Sequence, residues 1–231
     1  MLHESPFLRF SRVPEPELME GNEQVAAYAN ANFEETHESI VSSLMHHLPP
    51  RFMPASILDL GAGPGDMTGR LFKLFPNANL TALDGSISML AHNKSYITKQ
   101  FPDASAEWLS IKLQEFIPES SYELIFSNSL LHHLSDPFDF WSAIQRCSDE
   151  NSFLFICDLL RPTSFQTAKD LVGRYAKGEN EILRTDFYNS LLASFTIDEV
   201  EAMLRTLRLD HKLKIDQISD RHWICYSRQI N

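Results

Sequence analysis

The chain has 231 residues, 43% of them apolar, and a formal net charge of −11. A chain this long buries its own core without staples, and its three cysteines (Cys147, Cys157, Cys225) show no C-x-x-C spacing, which argues against a disulfide framework or a cysteine zinc site and for a reducing, cytoplasmic setting. Scattered Lys and Arg on an acidic chain lack the basic stripe that a nucleic-acid backbone demands, and no apolar run reaches the roughly twenty residues that span a bilayer.

Residues 1 to 10 carry Glu4 and no apolar core, so they do not read as a secretory signal. Pro14 and Pro16 mark an extended leader. From Glu23 to His47 apolar residues recur at helical spacing (Val25, Tyr28, Phe33, Ile40, Leu44), and Pro49-Pro50 ends the segment. Ser56 to Leu60 reads as a strand, followed by Gly61-Ala62-Gly63-Pro64-Gly65 and a helix to about Phe75. Leu80 to Leu83 is a second strand closed by Asp84; a helix over Ile87 to Lys99 precedes a third strand near Glu107 to Ile111. Leu124 to Phe126 is a fourth, and Pro137 to Cys147 a helix with Pro in its first turn. Ser152 to Asp158 holds the most apolar strand, and Leu160 to Ala193 reads as a helical insertion. Thr196 opens a helix through the capping box Thr196-x-x-Glu199. Leu213 to Ile218 and Trp223 to Tyr226 are strands joined by a turn at Ser219-Asp220.

Strands alternating with helices imply parallel pairing with helices on both sheet faces. The short link at Asp220 permits only an antiparallel last pair. The expectation is one α/β domain over 1–231: a helical cap over 1–50, a cofactor-binding core over 51–158, a helical insertion over 159–195, and a helix with two strands over 196–231. In such sheets ligands bind at the carboxyl ends of the strands, where the topology switches direction. The glycine loop follows the first strand there, and Asp84 closes the second, placed to accept hydrogen bonds from a ribose diol. A dinucleotide loop reads G-x-G-x-x-G. Here the spacing is G-x-G-x-G after Asp59, with Pro64 and Asp66 where a pyrophosphate wants neither bulk nor negative charge. A sulfonium and an ammonium, as in adenosylmethionine, suit carboxylates.

The run Ile57-Leu58-Asp59-Leu60-Gly61-Ala62-Gly63-Pro64-Gly65, then Leu83-Asp84-Gly85-Ser86, resembles the class I S-adenosylmethionine-dependent methyltransferases. Leu124-Ile125-Phe126-Ser127 with Leu131-His132-His133-Leu134 is similar to the fourth-strand motif of their small-molecule branch. The resemblance implies a Rossmann-like sheet of seven strands, the last antiparallel. It also implies that Gly61, Gly63 and Gly65 pack under the methionine part, that Asp84 and Gly85 meet the ribose, and that Ser127 and Asn128 lie near the methyl group. Where the family keeps an acid for the adenine amino group, this chain reads Lys112-Leu113-Gln114, leaving Leu113 and the Gln114 carbonyl for the ring. The usual Pro-Gly-Gly turn before the fifth strand is Asp149-Glu150-Asn151, and Asn tolerates positive φ.

Methyl transfer needs positioning, plus a base where the nucleophile carries a proton. His133 is the first candidate and His132 the next, each weighed against a role in orienting the loop. Asp158, facing the same cleft, is a partner for an imidazole or a cationic substrate, or for Arg161. Tyr28 and Phe33 either close over the cofactor or form the core face of their helix. Arg184, Asp186, Phe187 and Tyr188 suit a lid, and equally an ordinary amphipathic helix. The turn Asp220-Arg221-His222 reads as exposed. The expected reaction is methylation of a small molecule; the alternatives are a protein or tRNA substrate, or an adenosylmethionine-binding protein with other chemistry.

Overall fold

The computed structural model describes residues 10–16, 18 and 21–228, with Asn22 and Asn30 by backbone alone. Residues 1–9, on which most of the signal-peptide expectation rests, lie outside the described residues. The helices are α1 (Asn22–Asn30), α2 (Glu34–His47), α3 (Asp66–Leu74), α4 (Ile87–Gln100), α5 (Pro137–Cys147), α6 (Phe165–Tyr175), α7 (Glu181–Ala193) and α8 (Ile197–Thr206). The strands are β1 (Ser56–Leu60), β2 (Asn79–Asp84), β3 (Ala106–Ser110), β4 (Leu124–Asn128), β5 (Phe153–Leu159), β6 (Leu213–Gln217) and β7 (His222–Ser227). Single 3-10 turns occupy Leu113–Glu115 and Leu131–His133. None of the described helices is long and apolar enough to cross a membrane.

The sheet order is β3-β2-β1-β4-β5-β7-β6, with β7 antiparallel to both neighbours and the other pairs parallel. Alternation along each strand explains why both faces need helices. Leu58, Leu60, Ile125, Leu154, Ile156, Trp223 and Cys225 enter one core with Phe140 and Trp141 of α5 and Val200 of α8. Their neighbours Ile57, Phe126, Phe155, Cys157 and Ile224 enter the other, with Ile40 and Leu44 of α2, Leu71 of α3 and Leu90 of α4. Phe126 and Phe155 stack at 6.1 Å between centroids, a pair worth about 0.5–1.5 kcal/mol beyond the area it buries. The chain runs outward from β1 through β2 to β3, then returns to place β4 on the other side of β1. The loops after β1 and β4 therefore part and leave a crevice at the switch point.

Several local expectations change. The single helix read over Glu23 to His47 is two, because Ala31, Asn32 and Phe33 leave the helix and the Asn32 side chain accepts from Glu34 N at 3.0 Å. Asn151 does not take positive φ; the Asp149 carboxylate builds the turn by accepting from Asn151 N at 2.8 Å. Arg161 does not pair with Asp158: its Nη2 donates to Glu199 at 2.6 Å. The capping box at Thr196 and Glu199 forms as read. Among its described residues the leader runs without helix or strand, its Val13 N–H donating to Leu192 O at 3.0 Å and Arg12 to three backbone carbonyls.

Candidate functional site

Gly61, Gly63 and Gly65 have φ of 75°, 54° and 109°, the left-handed region that favours glycine. They nevertheless do different things. A Cβ on Gly63 would meet nothing within 4 Å, so this residue presents bare backbone to the crevice. A Cβ on Gly61 would press on the Leu130 side chain at 2.9 Å. One on Gly65 would lie 2.9 Å from the Asn93 backbone, so Gly65 serves the close approach of α3 to α4 and does not line the crevice.

Asn93 is fully buried and donates to the Ala62 and Gly63 carbonyls and to Thr68 Oγ1, binding the loop to α4. The sequence carried a signal for it: Asn93 stands between Met89 and Ile97 at four-residue steps, a polar residue on the buried stripe of a helix.

The crevice has two lobes, which share Tyr28, Gly61, Gly63 and Asn128 as lining residues. The first is bounded by Asp84, Gly85, Met89, Leu113, Gln114 and His133. Here the Asp84 carboxylate accepts from Gly63 N and Ser86 N, each at 2.8 Å. Burial raises its pKa against those two donors. A carboxylate has about four acceptor sites, so two remain for a ligand. Leu18 packs against Gly85 and lines this lobe from the leader.

The second lobe lies under α1 and α2, bounded by Phe33, His37, Asp59, Pro64 and Asp66. Asp59 accepts from Thr68 Oγ1 at 2.6 Å, and burial pushes its carboxyl up to about 7. Burial also pushes the Tyr28 phenol up to about 12, with the carboxylates of Asp158 and Glu15 adding to it. Asn128 Oδ1 is buried with no hydrogen-bond partner, between the two lobes. Such an orphaned acceptor is costly unless a ligand donor meets it.

The remaining expected site residues stand behind this surface. Ser127 is buried and donates to Leu60 O at 2.9 Å, fastening β4 to β1. It lines neither lobe. Asp158 is 1% exposed and does not face the cleft. It accepts from Leu131 N, Leu159 N and His132 Nδ1 at 2.7, 2.6 and 2.5 Å. Burial opposes its charge, but His132 and the Leu159 N–H hold the carboxyl below the usual range. His132 is likewise 1% exposed and away from both lobes. Of the three expected catalytic residues, His133 alone borders the crevice.

Glu15, in the leader, lies 3.1 Å from His133 Nδ1 and 3.5 Å from His132 Nε2. Nothing in its local sequence marks it, since it reaches the histidines only through the tertiary fold. In the insertion, Asp186 accepts from Gln24 of α1, while Phe187 and Tyr188 pack on the small core between α6 and α7. Asp220 and Arg221 interact with Arg174, Tyr175 and Thr36, a bonded turn with His222 buried beside it.

Residues 58–154 match a family model described as a methyltransferase domain. The chain is 28% identical over 155 residues to a malonyl-[acyl-carrier protein] O-methyltransferase of Legionella pneumophila, covering 65% of this chain and 53% of that protein. It is 30% identical over 82 residues to a trans-aconitate 2-methyltransferase of Azoarcus sp., covering 36% and 30%. The chain thus spans about half or less of the length of these relatives. Among solved structures, the plantazolicin methyltransferase BpumL in complex with SAH shares the fold at a TM-score of 0.68 and 17% identity, over 89% of this chain and 90% of that one.

Proposed function

We propose that the chain is a class I S-adenosylmethionine-dependent methyltransferase that moves the methyl group of that cofactor onto a small-molecule acceptor, a reading supported by the methyltransferase-domain match over 58–154 and by the methyltransferases it resembles. The observation that carries this reading is the two-lobed crevice, which meets each part of the cofactor with suitable chemistry. Asp84 has spare lone pairs for ribose hydroxyls, with Gly85, Leu113, Gln114 and Met89 around a flat base. Gly63 offers backbone without obstruction, and Asn128 Oδ1 awaits a donor. In the second lobe, Asp59 would regain its charge beside an ammonium group. Tyr28 stands where the lobes meet and would lie over the ligand.

When bound, the cofactor supplies an electrophilic methyl group on a sulfonium. The residues of the chain bind, orient and enclose. Leu18 and, from α1, Tyr28 and Ala29 line the crevice on its outer side, an enclosure that favours a small acceptor over a macromolecule. The acceptor's proton, where it has one, is handled at His133 on the first lobe's wall; Asp158 and His132 position that wall from behind. By their names, the relatives act on malonyl-[acyl-carrier protein] and on trans-aconitate, and the structural neighbour on plantazolicin; trans-aconitate is a free small acid of the kind proposed.

The test is transfer of label from methyl-labelled adenosylmethionine to a panel of small organic acids and hydroxylated metabolites. We expect label in a low-mass product and micromolar binding of the cofactor by calorimetry. Binding of NAD in its place would overturn the assignment of the crevice, and label found only in protein or RNA would overturn the small acceptor.

A further inference from the structure

The wall beneath His133 holds a junction that methyl transfer does not require. Glu15 of the leader meets the histidine pair of the Leu131–His133 turn, and the three side chains are brought together from distant parts of the chain. We propose that Glu15 Oε1, His132 Nε2 and His133 Nδ1 form a binding site for a divalent transition-metal ion of the zinc type.

The spacing is that of ligands around one ion. The three atoms lie within 4.8 Å of one another, with the two nitrogens at 3.5 and 3.1 Å from the shared oxygen. Zinc bonds to nitrogen and oxygen run about 2.0–2.2 Å, so adjacent ligands in a tetrahedral site stand about 3.3–3.6 Å apart. The 3.5 Å separation falls within that range and the 3.1 Å one just below it.

Orientation agrees. His133 Nδ1 is buried and makes no hydrogen bond, although Glu15 Oε1 is only 3.1 Å away. The two atoms are near each other without sharing an N–H···O line, as expected when both face a third point. His132 is held through its other nitrogen: Nδ1 meets Asp158 Oδ1 at 2.5 Å. With the proton of that bond on Nδ1, Nε2 points at the Glu15 carboxylate, and a bound cation would take the place of the second proton that the two carboxylates favour there. A carboxylate behind a ligating histidine is the usual outer support of a metal site. Here Ser190 Oγ also donates to both Glu15 oxygens, at 3.0 and 3.2 Å. Arg12 donates to the carbonyls of His132 and Leu134 at 2.8 Å each.

Charge supports a cation. Glu15, Asp158, Asp84 and Asp186 all act on Tyr28 at the centre of this region. Arg12 is the cation that faces the trio most directly, with Arg161 beyond it. With both imidazoles neutral, as metal ligands must be, the surrounding carboxylates leave a negative excess for the ion to offset. Three protein ligands leave a fourth position, suited to water or to an oxygen of the acceptor, and His133 puts the ion at the wall of the crevice. With the ion bound, His133 is a ligand, and the ion lowers the proton affinity of the acceptor oxygen.

The test uses the full chain, stripped with a chelator and titrated with Zn²⁺ and then Co²⁺ in the absence of cofactor and acceptor. Its outcome is therefore separate from that of the methyl-transfer assay. We expect about one tight equivalent per chain by elemental analysis, the visible absorption of four-coordinate Co²⁺, and a rise in Tm on binding. Glu15→Gln and His133→Ala, each checked for folding by circular dichroism, should weaken uptake at least tenfold. Asp158→Asn, where it folds, should weaken it by about 10- to 100-fold. A wild-type chain that takes up neither metal overturns the proposal and leaves the junction held by a proton on His132. Uptake unchanged in both Glu15→Gln and His133→Ala overturns it equally, since the metal is then elsewhere.

Discussion

Two aspartates stand at the carboxyl ends of strands in the same sheet, Asp84 last in β2 and Asp158 next to last in β5, and their fates differ. Asp84 accepts two backbone N–H groups and still opens onto the crevice. Asp158 accepts three donors, two of them backbone N–H groups and one an imidazole, and is sealed from solvent. The first carboxylate is half-used by the protein and free to hold a ligand; the second is used up in holding the Leu131–His133 turn. Residue type and strand end are the same in both. The number of donors that the fold aims at each oxygen decides which is a binding group and which is scaffold.

The largest expected effect tests the scaffold half. Asp158→Ala strands His132 and two buried N–H groups, and breaking a buried pair typically costs about 3–5 kcal/mol. Urea unfolding at neutral pH should show a loss of that size; a loss under about 1 kcal/mol would break the contrast. The next tests the ligand half. Asp84→Ala should weaken adenosylmethionine binding by about 1.5–3 kcal/mol, the worth of hydrogen bonds to a charged group, while costing less stability than Asp158→Ala. Calorimetry and denaturation on the same preparation read both quantities, and unchanged cofactor affinity would remove Asp84 from the site.

The smallest effect concerns an acid between these extremes. Asp66 borders the second lobe and is 42% exposed, pairing with His37 Nδ1 at 2.6 Å and Arg70 Nε at 2.9 Å. Burial opposes its charge, but the His37 and Arg70 bonds outweigh it and hold the carboxyl at about 2. Its folded pKa is thus below its unfolded value. The stabilisation is present above about pH 4 and is lost as pH falls through about 2. Solvent screening keeps it below about 1 kcal/mol. Wild-type and Asp66→Asn stabilities, compared by urea unfolding from about pH 5 downward, should converge with acid; a gap that widens would reverse the sign.

Much of the fold was legible locally. The order of strands and helices, the antiparallel end, the helix starting at Pro137 and the capping box at Thr196 each follow from periodicity, turn residues or a side-chain cap, all confined to a few neighbouring residues. The break at Ala31 to Phe33 was less legible, because apolar spacing continues across it while the Asn32 side chain, accepting from Glu34 N, turns the backbone. In the crevice, the glycine loop and Asp84 stood out because tight backbone turns admit few residue types. Gly65 shows the limit of that signal: positive φ demands glycine there, yet the space its missing Cβ leaves belongs to α4.

The amino-acid sequence by itself determined an alternating α/β chain whose first strand runs into a glycine turn, because those features depend on side-chain period and backbone sterics over short spans. Only the tertiary structure decided the orientation of the histidine pair and its partners. His132 bonds Asp158 and lies buried, while His133, its ring centroid 4.2 Å away, reaches the crevice wall, although the two are adjacent in sequence. Glu15 reaches them from the leader, which is held across the sheet ends by Arg12 and Val13. Contacts between segments so far apart depend on how helices and loops pack, and no local pattern encodes them.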